Sequence, residues 1–159
     1  MSGKVTLVGA GPGGVGLMTV RGLRALEAAE VVVYDRLVDE EILARIPADA
    51  ERIDVGKRAA NHPVPQPEIN RLLLQRALEG KNVVRLKGGD SFLFGRGGEE
   101  LELLAENGVE FEVVPGITSA LAAPSCAGIP VTHRDYCASV HIIAGHRRGD
   151  GALSLDYDA

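Results

Sequence analysis

A chain of 159 residues has room for one domain with a single sizeable core. Its 17 lysines and arginines against 22 acidic residues give a net charge of −5, which disfavours a polyanion and leaves nucleic acid unexpected as a partner. No run reaches the roughly 18 apolar residues of a membrane span. Val5 opens a strand-like pattern with no charged-then-apolar leader before it, so no membrane partner is expected and the location is expected to be cytoplasmic.

In chain order, Val5-Thr6-Leu7-Val8 is the first β-branched run and predicts a strand. Leu17, Val20, Leu23 and Leu26 then recur near one face of a helix ending at Ala28, and Val31 to Tyr34 predicts the second strand. Arg58 to Pro67, with three prolines, is the longest candidate loop or lid. Ile69, Leu72, Leu73 and Leu78 mark a second helix, with Pro67 in its first turn and Gly80 as its C-terminal cap. Val83 to Leu86 predicts a strand, and Leu101 and Leu104 lie on a helix that opens acidic at Glu99-Glu100 and stops near Gly108. Phe111 to Val114 and Val140 to Ile143 complete five predicted strands. Strands alternating with helices predict an α/β fold: a parallel sheet with helices on both faces and ligands gathered at the carboxyl ends of the strands.

Beyond Gly145 the chain turns polar and glycine-rich, so residues 1–145 are expected to form the domain and 146–159 an interdomain linker or the start of another domain. Cys126 and Cys137 read as reduced thiols filling small volumes. His62, His133, His141 and His146 lack metal-ligand spacing, and His141, on a predicted strand, reads as a packed residue; no metal is expected.

Directly after the first strand stands Gly9-Ala10-Gly11-Pro12-Gly13-Gly14, a G-x-G-x-x-G match, with Asp35 ending the second strand. Glycines there permit a tight turn and close ligand approach to backbone N–H groups, and an acid at that strand end can accept from ribose hydroxyls. By itself this leaves open a nicotinamide or flavin site, another nucleotide-like ligand, or a structural turn.

A longer set of motifs decides between them. The run Val84-Arg85-Leu86-Lys87-Gly88-Gly89-Asp90-Ser91-Phe92-Leu93-Phe94-Gly95-Arg96-Gly97-Gly98-Glu99-Glu100, followed by Val114-Pro115-Gly116-Ile117-Thr118-Ser119-Ala120, resembles the tetrapyrrole methylases. Val5 to Gly13, Tyr34 to Val38, Val55 to Arg58, Gln66 to Asn70 and Gly128 to Arg134 match in the same order along the chain. The R-L-K-G-G-D and F-G-R-G-G-E-E strings are similar to those of the uroporphyrinogen-III methyltransferases within that family.

That resemblance implies a five-stranded sheet of order 3-2-4-1-5 and S-adenosylmethionine as methyl donor. It implies C-methylation of uroporphyrinogen III to precorrin-2 on the way to cobalamin or siroheme, and a homodimer at full length. Matched by position, Asp35 is implied as proton acceptor and Lys57 as proton donor. Their bland alternatives are a strand-end turn former or ribose anchor, and a solvated or carboxylate-binding cation. Donor binding maps onto Pro12, Gly88, Gly89, Asp90, Leu93, Thr118 and Ser119, the last two offering hydroxyls at a helix N-terminus. Plain turn and cap chemistry would use the same residue types. Arg96, Glu99 and Arg134 match positions implicated in binding the carboxylate-rich substrate, where a surface ion pair or a helix-terminal acid is the alternative.

The sequence also departs from the family pattern. Gly14-Val15 stands where the family loop continues with an acid and a proline, Ser91 replaces the proline after G-G-D, and Ser125-Cys126 replaces Ala-Tyr. Family members carry a second domain of roughly a hundred residues, with the donor between the two domains, so weak donor binding and little turnover are expected of this chain alone. Another precorrin methyltransferase, a dinucleotide-binding oxidoreductase domain and a noncatalytic binding module are the competing readings.

Overall fold

The computed structural model describes residues 2–56 and 64–144. Strand β1 (Lys4–Gly9) leads through a single 3-10 turn (Val15–Leu17) to helix α1 (Val20–Glu27), and β2 (Val31–Tyr34) leads to the short α2 (Glu40–Leu43). Then follow β3 (Glu51–Asp54), α3 (Gln66–Leu78), β4 (Asn82–Lys87), α4 (Gly97–Glu106), β5 (Glu110–Val114) and α5 (Ser119–Cys126). The five strands form one parallel sheet in the order β3-β2-β4-β1-β5, the order the resemblance implies.

Alternation along the strands builds two cores. Val8, Val32, Val84 and Leu86 face Leu26 and Ile42, the side of α1 and α2. Val5, Leu7, Val31, Val33 and Val83 face Ile69, Leu73 and Leu104, the side of α3 and α4. Such two-sided burial is why β1 and β2 read as nearly continuous apolar runs, while β4 breaks its run with the buried Arg85 and Lys87. The helices begin where their caps dictate: the Thr19 side chain accepts from Gly22 N, Asp39 from Glu41 N, and Thr118 from Ala120 N. Gly80 (φ +84°) and Gly108 (φ +65°) follow the ends of α3 and α4 in the left-handed conformation that glycine favours.

The strand expected at Val140 to Ile143 is absent: that stretch is exposed, unpaired chain, and His141 on it is exposed rather than packed. Its β-branched residues have the propensity, but neither sheet edge accepts them, since the edges are β3 and β5. The fifth strand is Glu51–Asp54 instead. Only Ile53 is apolar there, and the charged residues around it suit an edge. Cys126 and Cys137 are free thiols, as expected, but both are exposed and fill no interior volume. The expected linker at 146–159 and most of the expected lid, residues 58–63, lie outside the described residues.

Strand β4 sits between β1 and β2. The chain leaves β1 and β2 toward α1 and α2 on one face, and leaves β4 toward α4 on the other. Outgoing connections that part in this way open a crevice at the carboxyl ends of the strands.

Candidate active site

Three glycine loops meet backbone to backbone at that crevice. Gly11 N donates to Gly89 O at 3.1 Å and Gly89 N to Gly11 O at 2.8 Å, joining the loops after β1 and β4. A Cβ on Gly9 would lie 2.5 Å from Gly116 Cα, and one on Gly116 would collide with Gly89 O, so the third loop closes on the first two only without side chains. Asp90 completes the weld. Its Oδ1 accepts from Phe92 N (2.8 Å) and Leu93 N (3.0 Å), and its Oδ2 accepts from Gly116 N (3.1 Å) across to the loop after β5. Burial pushes the Asp90 carboxyl up, but the three backbone donors together outweigh it and hold the group below its ordinary value.

Gly9 and Gly11 of the first motif therefore serve loop packing more than ligand approach, whereas Gly13 has open space around it. Gly88 likewise is filled by a neighbour, since a Cβ there would meet Leu37 Cβ at 2.6 Å. Among these, Gly89 (φ +66°) has open space in front of it. A dinucleotide site would need the glycine loop to feed a helix N-terminus directly. Here the loop enters a 3-10 turn whose Val15 N donates to the Glu41 carboxylate at 3.2 Å, and α1 starts later at its own Thr19 cap. An acidic side chain thus holds the backbone donor that a pyrophosphate would seek.

From Asp90 the chain makes a tight loop into α4. Phe94 (φ 56°) and Arg96 (φ 57°) adopt the left-handed region without being glycine, a conformation that costs free energy and recurs at functional loops. Arg96 forms a two-pronged ion pair with Glu99 at 2.8 and 2.7 Å, both side chains about half exposed. Ser91 is fully buried, and its Oγ has no partner among the described residues.

Beneath the loops lies a charged floor. Arg85 and Lys87 alternate with Val84 and Leu86 on the central strand, so both point toward α3 and α4. Glu100, fully buried in the first turn of α4, accepts on Oε1 from Arg85 Nε (3.0 Å), Lys87 Nζ (3.1 Å) and Gln66 Nε2 (3.1 Å). Arg85 Nη1 donates to Val33 O and Leu86 O, and Arg85 Nη2 lies 3.6 Å from Asp35 Oδ2. Burial first, and then the Arg85 charge, push Lys87 below the usual lysine value, against the pull of Glu100 and Asp35.

These groups surround one cavity of about 760 Å³. Of the residues expected at the site, it brings together Pro12, Asp35, Gly88, Gly89, Asp90, Leu93, Arg96, Thr118 and Ser119. Glu99 is not in the wall but grips Arg96, which is. Arg134 lies away from the cavity, on the exposed turn between the bridged residues His133 and Cys137. Lys57 is outside the described residues. Sequence reasoning singled out neither Arg85 and Lys87 nor Leu37 and Phe94, exposed apolar residues of the wall. The first pair left a signal: two cations inside an otherwise apolar central strand must find a buried acid.

Among the described residues no group of three or more His, Cys, Asp or Glu is placed to hold a metal, and no helix is long and apolar enough to cross a membrane. A sequence profile of the tetrapyrrole (corrin/porphyrin) methylases matches residues 4–157. The chain belongs to that family. Over 155 residues it is 63% identical to the porphyrin biosynthesis protein HemD of Ruminiclostridium josui, covering 98% of this chain and 31% of that one. Siroheme synthase 2 of Serratia proteamaculans is 59% identical over 151 residues, 95% of this chain and 32% of its own. The tetrapyrrole methylase fold is shared with the uroporphyrin-III-C-methyltransferase from Thermus thermophilus, at a TM-score of 0.75 and 51% identity over 84% of this chain and 56% of that one. A second structure of that protein, complexed with S-adenyl homocysteine, aligns with a TM-score of 0.68 and 51% identity, over 83% of this chain and 51% of that one. The chain thus spans about a third of the length of these curated relatives and about half that of the solved ones.

Proposed function

We propose that the protein carrying this domain transfers methyl groups from S-adenosylmethionine to pyrrole carbons of uroporphyrinogen III, giving precorrin-2 after two transfers. The observation that carries this reading is the convergence of Pro12, Gly89, Asp90, Leu93 and Thr118 on one cavity with Asp35 at its floor. The Thermus relative solved with S-adenyl homocysteine supports the choice of ligand, and the relatives named for siroheme and porphyrin synthesis support the substrate class. Cytoplasmic location and a homodimer belong to the same proposal.

The residues fit such a donor. Gly89 leaves room for a nucleoside to lie on backbone, Thr118 and Ser119 open α5, and Asp90 is held ionised and rigid beside them. When bound, S-adenosylmethionine supplies a methyl group already activated by its positive sulfur. The wall therefore contributes alignment, which in well-oriented reactions is worth up to about 7–11 kcal/mol. The pyrrole carbon that gains a methyl already carries a side chain and no hydrogen, so the positive charge passed to the macrocycle is discharged by loss of a proton from elsewhere in it, and Asp35 is assigned to accept that proton. That carboxylate is oriented by Leu37 N, which donates to Oδ1 at 3.2 Å, and by Arg85 on Oδ2. Lys57 is assigned as proton donor. Arg96 at the cavity wall is assigned a substrate carboxylate, its fork already shaped by the carboxylate of Glu99. Arg134, although it stands away from the cavity, keeps a proposed substrate contact.

Incubation with uroporphyrinogen III and methyl-labelled donor tests the assignment. Label should enter the tetrapyrrole, and Asp35→Asn should lower kcat by about 10²–10⁴-fold, the range for losing a general base. Full activity in Asp35→Asn would remove it from the chemistry. Tight binding of NADH with none of the methyl donor would remove the whole reading.

A further inference from the structure

The floor of the cavity carries two cations on one carboxylate oxygen, an arrangement that loop packing does not require. Arg85 and Lys87 line the cavity, while Glu100 sits behind them, fully buried, with its Oε2 unpartnered among the described residues. With Asp35 the group sums to two positive and two negative charges. Glu100 is the sealed counter-charge and Asp35 the open one. Four groups that cancel in a floor where Asp35 alone is partly open to water leave the cavity without a net repulsion for a cation.

We propose that Glu100 is a specificity-determining residue: by neutralising Arg85 and Lys87 from beneath, it removes a repulsion that would act on a sulfonium-bearing nucleoside and not on the neutral thioether left after methyl transfer. The inference rests on the donor assignment made above. Donor and spent product share every other group, so the charge on sulfur is what a floor potential can discriminate.

The geometry gives the sign of each change. Glu100→Gln retains shape and leaves the floor one unit more positive; Lys87→Met retains the length of the stem and leaves it one unit more negative. For a sulfonium within about 10 Å of the change, at an effective dielectric of about 20–30, one unit charge alters an association constant by roughly five- to fifteenfold. A neutral thioether feels little of it. A merely structural lesion weakens both ligands together.

The test measures association of S-adenosylmethionine and S-adenosylhomocysteine with the full 159-residue chain by ligand-observed NMR, which reads millimolar affinities, in parent and variants. The ratio of donor to thioether association should fall roughly five- to fifteenfold in Glu100→Gln, rise comparably in Lys87→Met, and return near the parent in the double variant. Should Glu100→Gln not fold, Lys87→Met decides alone, because loss of structure cannot raise the ratio. A ratio that stays within twofold of the parent in the folded variants, while the parent binds both ligands, overturns the role of Glu100 and leaves the donor assignment standing. A parent chain that binds neither ligand overturns the donor assignment, and this inference with it.

Discussion

Asp90 binds two loops with one carboxylate, taking three backbone donors from Phe92, Leu93 and Gly116. Its folded-state affinity for a proton lies below the ordinary value, so its contribution to stability is complete above about pH 4, the unfolded carboxyl value. That contribution is lost as pH falls further, through the depressed value. Asp90→Asn keeps one acceptor oxygen and turns an amide toward at least one of the three donors, a loss of about 1–3 kcal/mol. Urea titrations should show that loss at pH 7 and a smaller difference from the parent below pH 4. Equal losses at both pH values would assign the effect to shape rather than charge. The charge at position 90 stood out in the sequence as part of R-L-K-G-G-D, but its bond to Gly116 did not, because that contact spans 26 residues and depends on sheet order.

At the scale of elements, periodicity found β1, β2, β4 and β5 and the helices α1, α3 and α4 because each buries an apolar face against the sheet. It failed where propensity and pairing part company. Val140 to Ile143 has the residues of a strand and no partner, while Glu51–Asp54 has a partner, β2, and a charged edge sequence. The short α2 was passed over because four residues show no period. Likewise the floor of the site was half legible: Asp35 ends a readable strand, whereas Glu100 reads as a helix-terminal acid until the crossover from β4 places α4 over Arg85 and Lys87. The joining of the glycine loops is an element-scale property with its own consequence. Gly116→Ala places a methyl 2.6 Å from Gly9 Cα and against Gly89 O, where only backbone could yield. Overpacking of that kind costs about 1–3 kcal/mol. The denaturation midpoint should drop accordingly and donor binding should weaken, with the parting of the β1 and β4 loops visible as faster amide exchange at Gly11 and Gly89. Unchanged stability would mean that the three loops are not joined through these glycines.

For the molecule as a whole, a parallel sheet in which β4 sends its chain to one face while its neighbours β1 and β2 send theirs to the other makes a crevice, and three loops turn it into one wall-lined cavity of about 760 Å³. The proposed methyl transfer would need alignment and a charge-balanced floor more than a reactive side chain, and the fold concentrates converging loops and balanced charges there. The most direct test is a backbone ¹H–¹⁵N titration of the chain with S-adenosylhomocysteine. The account predicts that shifts cluster at Gly11, Gly89, Asp90, Leu93, Thr118 and Ser119 and spare the opposite, amino-terminal edge of the sheet. Shifts scattered over several faces, or the same cluster responding to NADH and not to S-adenosylhomocysteine, would contradict it.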